Sequence, residues 1–191
     1  MSLQHLNIKI FTDENSKQIP LGTYLPIFHR WIQNKVTKEM LIDVADYAHV
    51  PAGPGVMLIG HQANISMDNI GSRLGLLYNR KVADEGTNEA LLRKTLKAAL
   101  THALRLQEDA AVKGKLEFLG NDLQFIVNDR LLAPNTKENL KILQRDLAAV
   151  LDLLFGDKNY SFETAQDSRE RLNVEVKAKN KVQLQDLIQK I

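Results

Sequence analysis

The stretch Asp43–Asp68, DVADYAHVPAGPGVMLIGHQANISMD, decides how this chain is read. Apolar residues dominate on both sides of a Pro/Gly cluster. The pattern predicts strands over Met40–Tyr47 and Gly55–Met67, joined by a turn at Pro51–Gly55. With the turn centred on Pro51 and Ala52, period-two alternation puts Ile42, Val44 and Asp46 on one face with Met57, Ile59 and His61. His61 is then expected to be buried, with Asp46 as its carboxylate partner. An imidazole fixed by an acid is the arrangement a general base needs, so Asp46 and His61 are the candidate catalytic pair. A core histidine bonded to backbone or to a single acid is the commoner outcome of the same pattern.

Outward from this stretch, Leu6–Phe11 alternates as a strand with Leu6, Ile8 and Ile10 on one face. Pro26–Lys35 places Ile27, Phe28, Trp31 and Ile32 at helical spacing. Leu74–Val82 is a further strand. Asn88–Asp109 reads as a long helix capped by Thr87. Leu116–Leu119 and Leu123–Asn128 read as a hairpin around Gly120-Asn121-Asp122. Asn135, with Glu138 three residues on, opens another helix that Gly156 ends. Tyr160–Thr164 and Leu172–Ala178 form a second hairpin, and Lys181–Ile191 a last helix. Recurring hairpins, each followed by a helix, predict an α+β fold: a two-layer sandwich, mostly antiparallel sheet of six or more strands, with helices packed on one face. A chain of 191 residues suits one domain, with a soft subdivision into 1–84 and 85–191 near Asp84-Glu85-Gly86.

Composition narrows the function classes. Hydrophobic residues make up 44% and charged residues 25%, as in an ordinary globular protein that needs no disulfide or metal to stand. The net charge of +2 gives no field for a nucleic-acid or anionic-membrane partner. Cysteine is absent, which removes disulfides, thiolate metal sites and a cysteine nucleophile. The opening MSLQHLNIKIFTDEN lacks a basic start and a long apolar run, so no secretory signal is expected. No apolar run reaches the length of a bilayer. A cytoplasmic protein without a membrane partner is the expectation.

Asp43 and Asp46 fall on opposite faces of a strand and His49 in the turn, so neither a metal nor a cofactor is expected. Ala52-Gly53-Pro54-Gly55 lacks the GK[ST] ending of a phosphate loop. No G-x-S-x-G or H-E-x-x-H occurs. Two arginines nominate themselves instead. Arg30 is on the polar side of its helix, and Arg130 is in the strand-to-helix loop Asn128–Pro134, where function often sits. With His49 they form the candidate ligand-binding set, since a guanidinium holds a carboxylate or phosphate bidentately. The plainer outcome is that each pairs with a nearby acid, Arg130 with Asp129 for instance. The run Arg169, Arg171, Lys177, Lys179, Lys181 alternates with acids and lacks the aromatics that stack on bases, which suits a charged strand edge.

The phrases FHRWIQ (Phe28–Gln33), LIDVADYAHV (Leu41–Val50), GPGVMLIGH (Gly53–His61), LLYNRK (Leu76–Lys81) and NDRLLAPNT (Asn128–Thr136) resemble those of an uncharacterised bacterial protein family with no assigned activity. The resemblance implies a bacterial, cytoplasmic protein and carries no ligand. Two function classes stand. The favoured one is a non-catalytic binding or assembly module of the bacterial cytoplasm, as a homo-oligomer; a small anionic ligand is the other partner considered. The alternative is a small enzyme or acidic-metabolite binder organised by His61 and Asp46.

Overall fold

The strand Leu6–Thr12 (β1) is buried along its whole length, polar residues included. A strand that alternates Leu-Asn-Ile-Lys-Ile-Phe can be covered on both faces only at the centre of a sheet. The computed structural model, which describes the chain except for Ser2, Ala52, Lys158, Ala165, Gln166 and Ser168, places it there. The other strands are β2 (Leu41–Tyr47), β3 (Gly55–Gly60), β4 (Ala63–Asp68), β5 (Gly75–Arg80), β6 (Phe118–Val127), β7 (Tyr160–Glu163) and β8 (Asn173–Ala178). They form one eight-stranded sheet in the order β2-β3-β4-β5-β1-β6-β8-β7, with every neighbouring pair antiparallel.

Helices α1 (Tyr24–Gln33), α2 (Asn88–Gln107), α3 (Lys137–Phe155) and α4 (Leu184–Lys190) pack on the sheet. Their apolar stripes close one core over Leu6, Ile8 and Ile10 of β1, Leu76 and Tyr78 of β5, and Leu123 and Phe125 of β6. Thr87 caps α2 by accepting from the Ala90 N–H, and Thr136 caps α3 by accepting from the Asn139 N–H. The α+β sandwich read from the hairpins is therefore the observed one. Among the described residues no helix is long and apolar enough to cross a membrane.

Several local expectations are corrected. Gly55–Met67 is two strands, not one: His61 and Gln62 turn the chain between β3 and β4. Gly60 permits that turn, since a Cβ there would come within 2.6 Å of the Ala63 carbonyl oxygen. Conversely, Leu116–Asn128 is not a hairpin. Gly120-Asn121-Asp122 lies inside the single strand β6, where its pairing with β1 shifts register between Ile10–Leu123 and Thr12–Phe118. Gly120 serves close packing instead, with the Val182 carbonyl oxygen 2.1 Å from where its Cβ would stand. The cap of α3 is Thr136 rather than Asn135. The strand carrying Lys177 is not the sheet edge. β7 lies outside it, and Lys177 pairs with Glu163 across that strand.

The β2–β3 register pairs Tyr47 with Gly55 and Val44 with Leu58. Its turn is therefore centred one half-step earlier than Pro51–Ala52, and Ala52 itself lies outside the described residues. That slip exchanges the faces of β3. Val56 and Leu58 are fully buried in the core, and Met57 and Ile59 lie half-buried on the other face.

Candidate functional site

The face of the sheet opposite the helices carries side chains that a strand centre rarely holds. On β1 these are Asn7, Lys9 and Phe11; on β4 they are Asn64, Ser66 and Asp68. Lys9 is 3% exposed and Asp68 2% exposed, and the Lys9 ammonium donates to Asp68 Oδ1. The two are not on adjacent strands. Lys9 must pass over β5 to reach Asp68, and Gly75 leaves the gap. A Cβ at Gly75 would stand 3.0 Å from Lys9 Cε and 2.6 Å from the Ile10 carbonyl oxygen. Burial pushes the Lys9 ammonium below its ordinary value, against the pull of Asp68. A buried ion pair of this kind is weak evidence for stability, but losing one partner leaves a stranded charge.

A cleft of about 420 Å³ opens above this pair. Its apolar floor is Phe11, Leu77 and Ile126. Arg73 reaches in from the loop before β5. Its guanidinium lies 3.6 Å from the centroid of the Phe11 ring and donates to Glu175 (2.6 Å) and Asp122 (2.8 Å). Burial alone would lower the Arg73 pKa, but Glu175 and Asp122 outweigh it and the net shift is upward. Asp122 is shifted up, because burial outweighs the charge of Arg73. Arg73 thus ties the loop after β4 to β6 and β8 across β1.

Arg130 and Arg171 line the same cleft. Arg171 donates to the neutral Asn128 Oδ1. Among the described residues Arg130 has no acid within ion-pair distance; Asp129 instead accepts from the Leu132 N–H and lies 3.5 Å from His5 Nδ1. Beside these arginines Leu131 is 91% exposed, and Leu132 and Ile70 are exposed too.

The other nominated residues lie apart from this cleft; Asp46 and His49 share the turn end of the β2–β3 hairpin, away from His61 and Arg30. His61 is exposed in the β3–β4 turn, its N–H donating to the Met40 carbonyl oxygen, so the expectation of a buried His61 is corrected. Asp46 is exposed at the far end of the β2–β3 hairpin, opposite Val56. Five residues of strand, roughly 16 Å, separate the two positions. Asp46 accepts from the Ala48 N–H instead. His49 is exposed in the β2–β3 turn. Arg30 forms a two-oxygen hydrogen-bonded pair with Asp109, at 2.8 and 2.9 Å, which joins α1 to the end of α2. Among the described residues no three of His, Asp and Glu gather closely enough to hold a metal ion.

Two features escaped the sequence reading. Lys9 looked like an ordinary solvated residue of an alternating strand; only the central place of β1 makes it exceptional. The second is His102 on the buried stripe of α2, stacked between Trp31 (ring centroids 5.9 Å apart) and Tyr78 (5.7 Å). Burial, reinforced by the charge of Arg105, pushes it down to about 4. Tyr78 donates to Glu39 Oε1 at 2.7 Å, and its phenol is shifted far upward, first by burial and then by Glu39. The signal was present, since His102 lies three residues beyond Ala99 on the apolar stripe.

A larger groove of about 840 Å³ runs between the Asn15–Gln18 turn and the segment after α2. Asp13 in it is engaged by the Ser16 N–H and hydroxyl, and Glu117 by Lys181. No buried polar atom there lacks a partner among the described residues. The smaller cleft is therefore the candidate site. The chain matches no protein-family model, and comparisons with curated proteins and with solved structures find no relative.

Proposed function

We propose that this protein is a non-catalytic binding module that takes up a small anionic ligand on the open face of its sheet. The observation that carries the reading is Arg130, a guanidinium without an ion-pair partner among the described residues, beside Arg171 at the rim of the cleft. Among the described residues the cleft holds four cationic and three anionic side chains. Lys9 is engaged by Asp68, and Arg73 by Asp122 and Glu175, which leaves the two rim arginines against Glu170 alone. Guanidinium groups so placed hold a carboxylate or phosphate by paired hydrogen bonds. Among the described residues no histidine or hydroxyl side chain lines the cleft, and its lysine is already bonded, so binding fits better than catalysis.

The test is a thermal-shift screen with acidic metabolites and phosphates on wild type, Arg130→Ala and Arg30→Ala. A ligand present at about 100 times its Kd stabilises by about 2.7 kcal/mol. For a chain of this size that is a rise of roughly 5–10 °C. The rise should vanish in Arg130→Ala and persist in Arg30→Ala, whose arginine is held by Asp109. A rise that survives Arg130→Ala refutes the assignment.

Self-association is the second reading, favoured by Met40, Ile42, Tyr47 and Val50, which are exposed along the β2 edge of the sheet. Against strand-to-strand pairing, Asp43 Oδ1 accepts from the Val44 N–H and blunts that edge. Sedimentation of wild type and Ile42→Lys over a range of concentrations separates the two: a dimer lost in the variant supports assembly, and a monomer throughout excludes it.

A further inference from the structure

We infer that the anion bound in this cleft also carries hydroxyl groups, the chemistry shared by sugar acids and sugar phosphates. The inference rests on the anion-binding reading above. Its basis is an asymmetry at Asp68. Both hydrogen bonds to this carboxylate, from the Lys9 ammonium and from the Ile70 N–H at 3.3 Å, end on Oδ1. Among the described residues Oδ2 is buried and has no partner, although Asp68 lines the cleft. A carboxylate oxygen only accepts, so the missing group is a donor. A buried acceptor left unpaired is costly, and a ligand that supplies the donor recovers that cost. A second ammonium is disfavoured there because Lys9 already occupies the other oxygen. A neutral hydroxyl meets no such repulsion.

The neighbouring groups ask for the same chemistry. Gln124 and Asn173 line the cleft with amides that both donate and accept, as hydroxyls do. Farther along the same sheet face, Asn7 Oδ1 and Asn64 Oδ1 are also buried without partners. They are two further acceptors on the strands that carry Lys9 and Asp68. A cavity of about 420 Å³ admits a hexose-sized ligand, with its acid at Arg130 and Arg171 and its hydroxyls toward Asp68.

The experiment is calorimetric titration of the full chain with matched probes: gluconate against hexanoate, and glucose 6-phosphate against inorganic phosphate. At least one hydroxylated probe should bind about tenfold or more tightly than its plain partner, the worth of one hydrogen bond to a charged acceptor. Which pair shows the contrast tells a sugar acid from a sugar phosphate. Asp68→Asn should abolish the contrast; if that variant fails to fold, the wild-type contrast decides alone. Equal binding within both pairs overturns the hydroxyl inference and leaves anion binding standing. No binding of any of the four overturns both.

Discussion

Acidification should weaken this fold through His102, by an amount the structure allows to be worked out. The imidazole is 5% exposed and stacked between Trp31 and Tyr78, and its Nδ1 has no partner. Its pKa is pushed down to about 4, by burial first and by Arg105 second, from 6.5 in the unfolded chain. Between those values the unfolded chain binds the proton and the folded one does not. Stability therefore falls as pH falls through this window and is unaffected by this group above it. The gap from 6.5 to about 4, at about 1.36 kcal/mol per pH unit, gives a full cost of about 3 kcal/mol. At about pH 5 roughly 2 kcal/mol of it is felt. Urea unfolding followed by the fluorescence of Trp31, the single tryptophan, reports it directly. Carboxylates elsewhere also titrate, so the comparison is with His102→Leu, which lacks this proton site. Between about pH 7.5 and about pH 5 wild type should lose about 2 kcal/mol more than the variant. Equal losses in the two proteins would mean that His102 does not drive this acid sensitivity.

Other variants probe the open face. Lys9→Met strands the Asp68 carboxylate and should cost about 3–5 kcal/mol in urea unfolding, whereas Lys9→Met combined with Asp68→Leu should recover most of that loss. Gly75→Ala pushes a methyl against the Lys9 side chain and the Ile10 carbonyl oxygen, and should cost about 1–3 kcal/mol by the same measurement. A neutral Gly75→Ala would mean that Lys9 does not cross β5 at this point.

What the sequence disclosed is what local periodicity encodes. Alternation in Leu6–Phe11 and the stripes of Asn88–Asp109 and Leu140–Leu154 mark the core because burial forces those spacings. Thr87 announced its helix by a side-chain hydrogen bond to the next turn. Turns were harder, because a glycine serves opposite ends. Gly60 allows a reversal, and Gly120 lets the chain at Val182 come close to a continuous strand. Both read alike in a single sequence. The histidine expectation failed because His61 lies past the end of β3, in the reversal into β4; a half-step error in the centre of the β2–β3 turn also exchanged the faces of β3 itself. The candidate cleft was legible only in fragments. Arg130 was singled out for its loop, and Asp68 closes the stretch that was read first. Lys9 became notable only once β1 proved central, a fact held in contacts between residues far apart in the chain.

A ligand should bind in the open-face cleft and not in the larger groove beside α2. Amide NMR during titration with gluconate and with glucose 6-phosphate tests it most directly. Shifts should saturate at Asp68, Gly71, Arg130 and Arg171, with Arg30, Gln107 and Lys113 unmoved. Saturable shifts confined to the groove around Asp13, Gln107 and Lys113, with Arg130 silent, would contradict it.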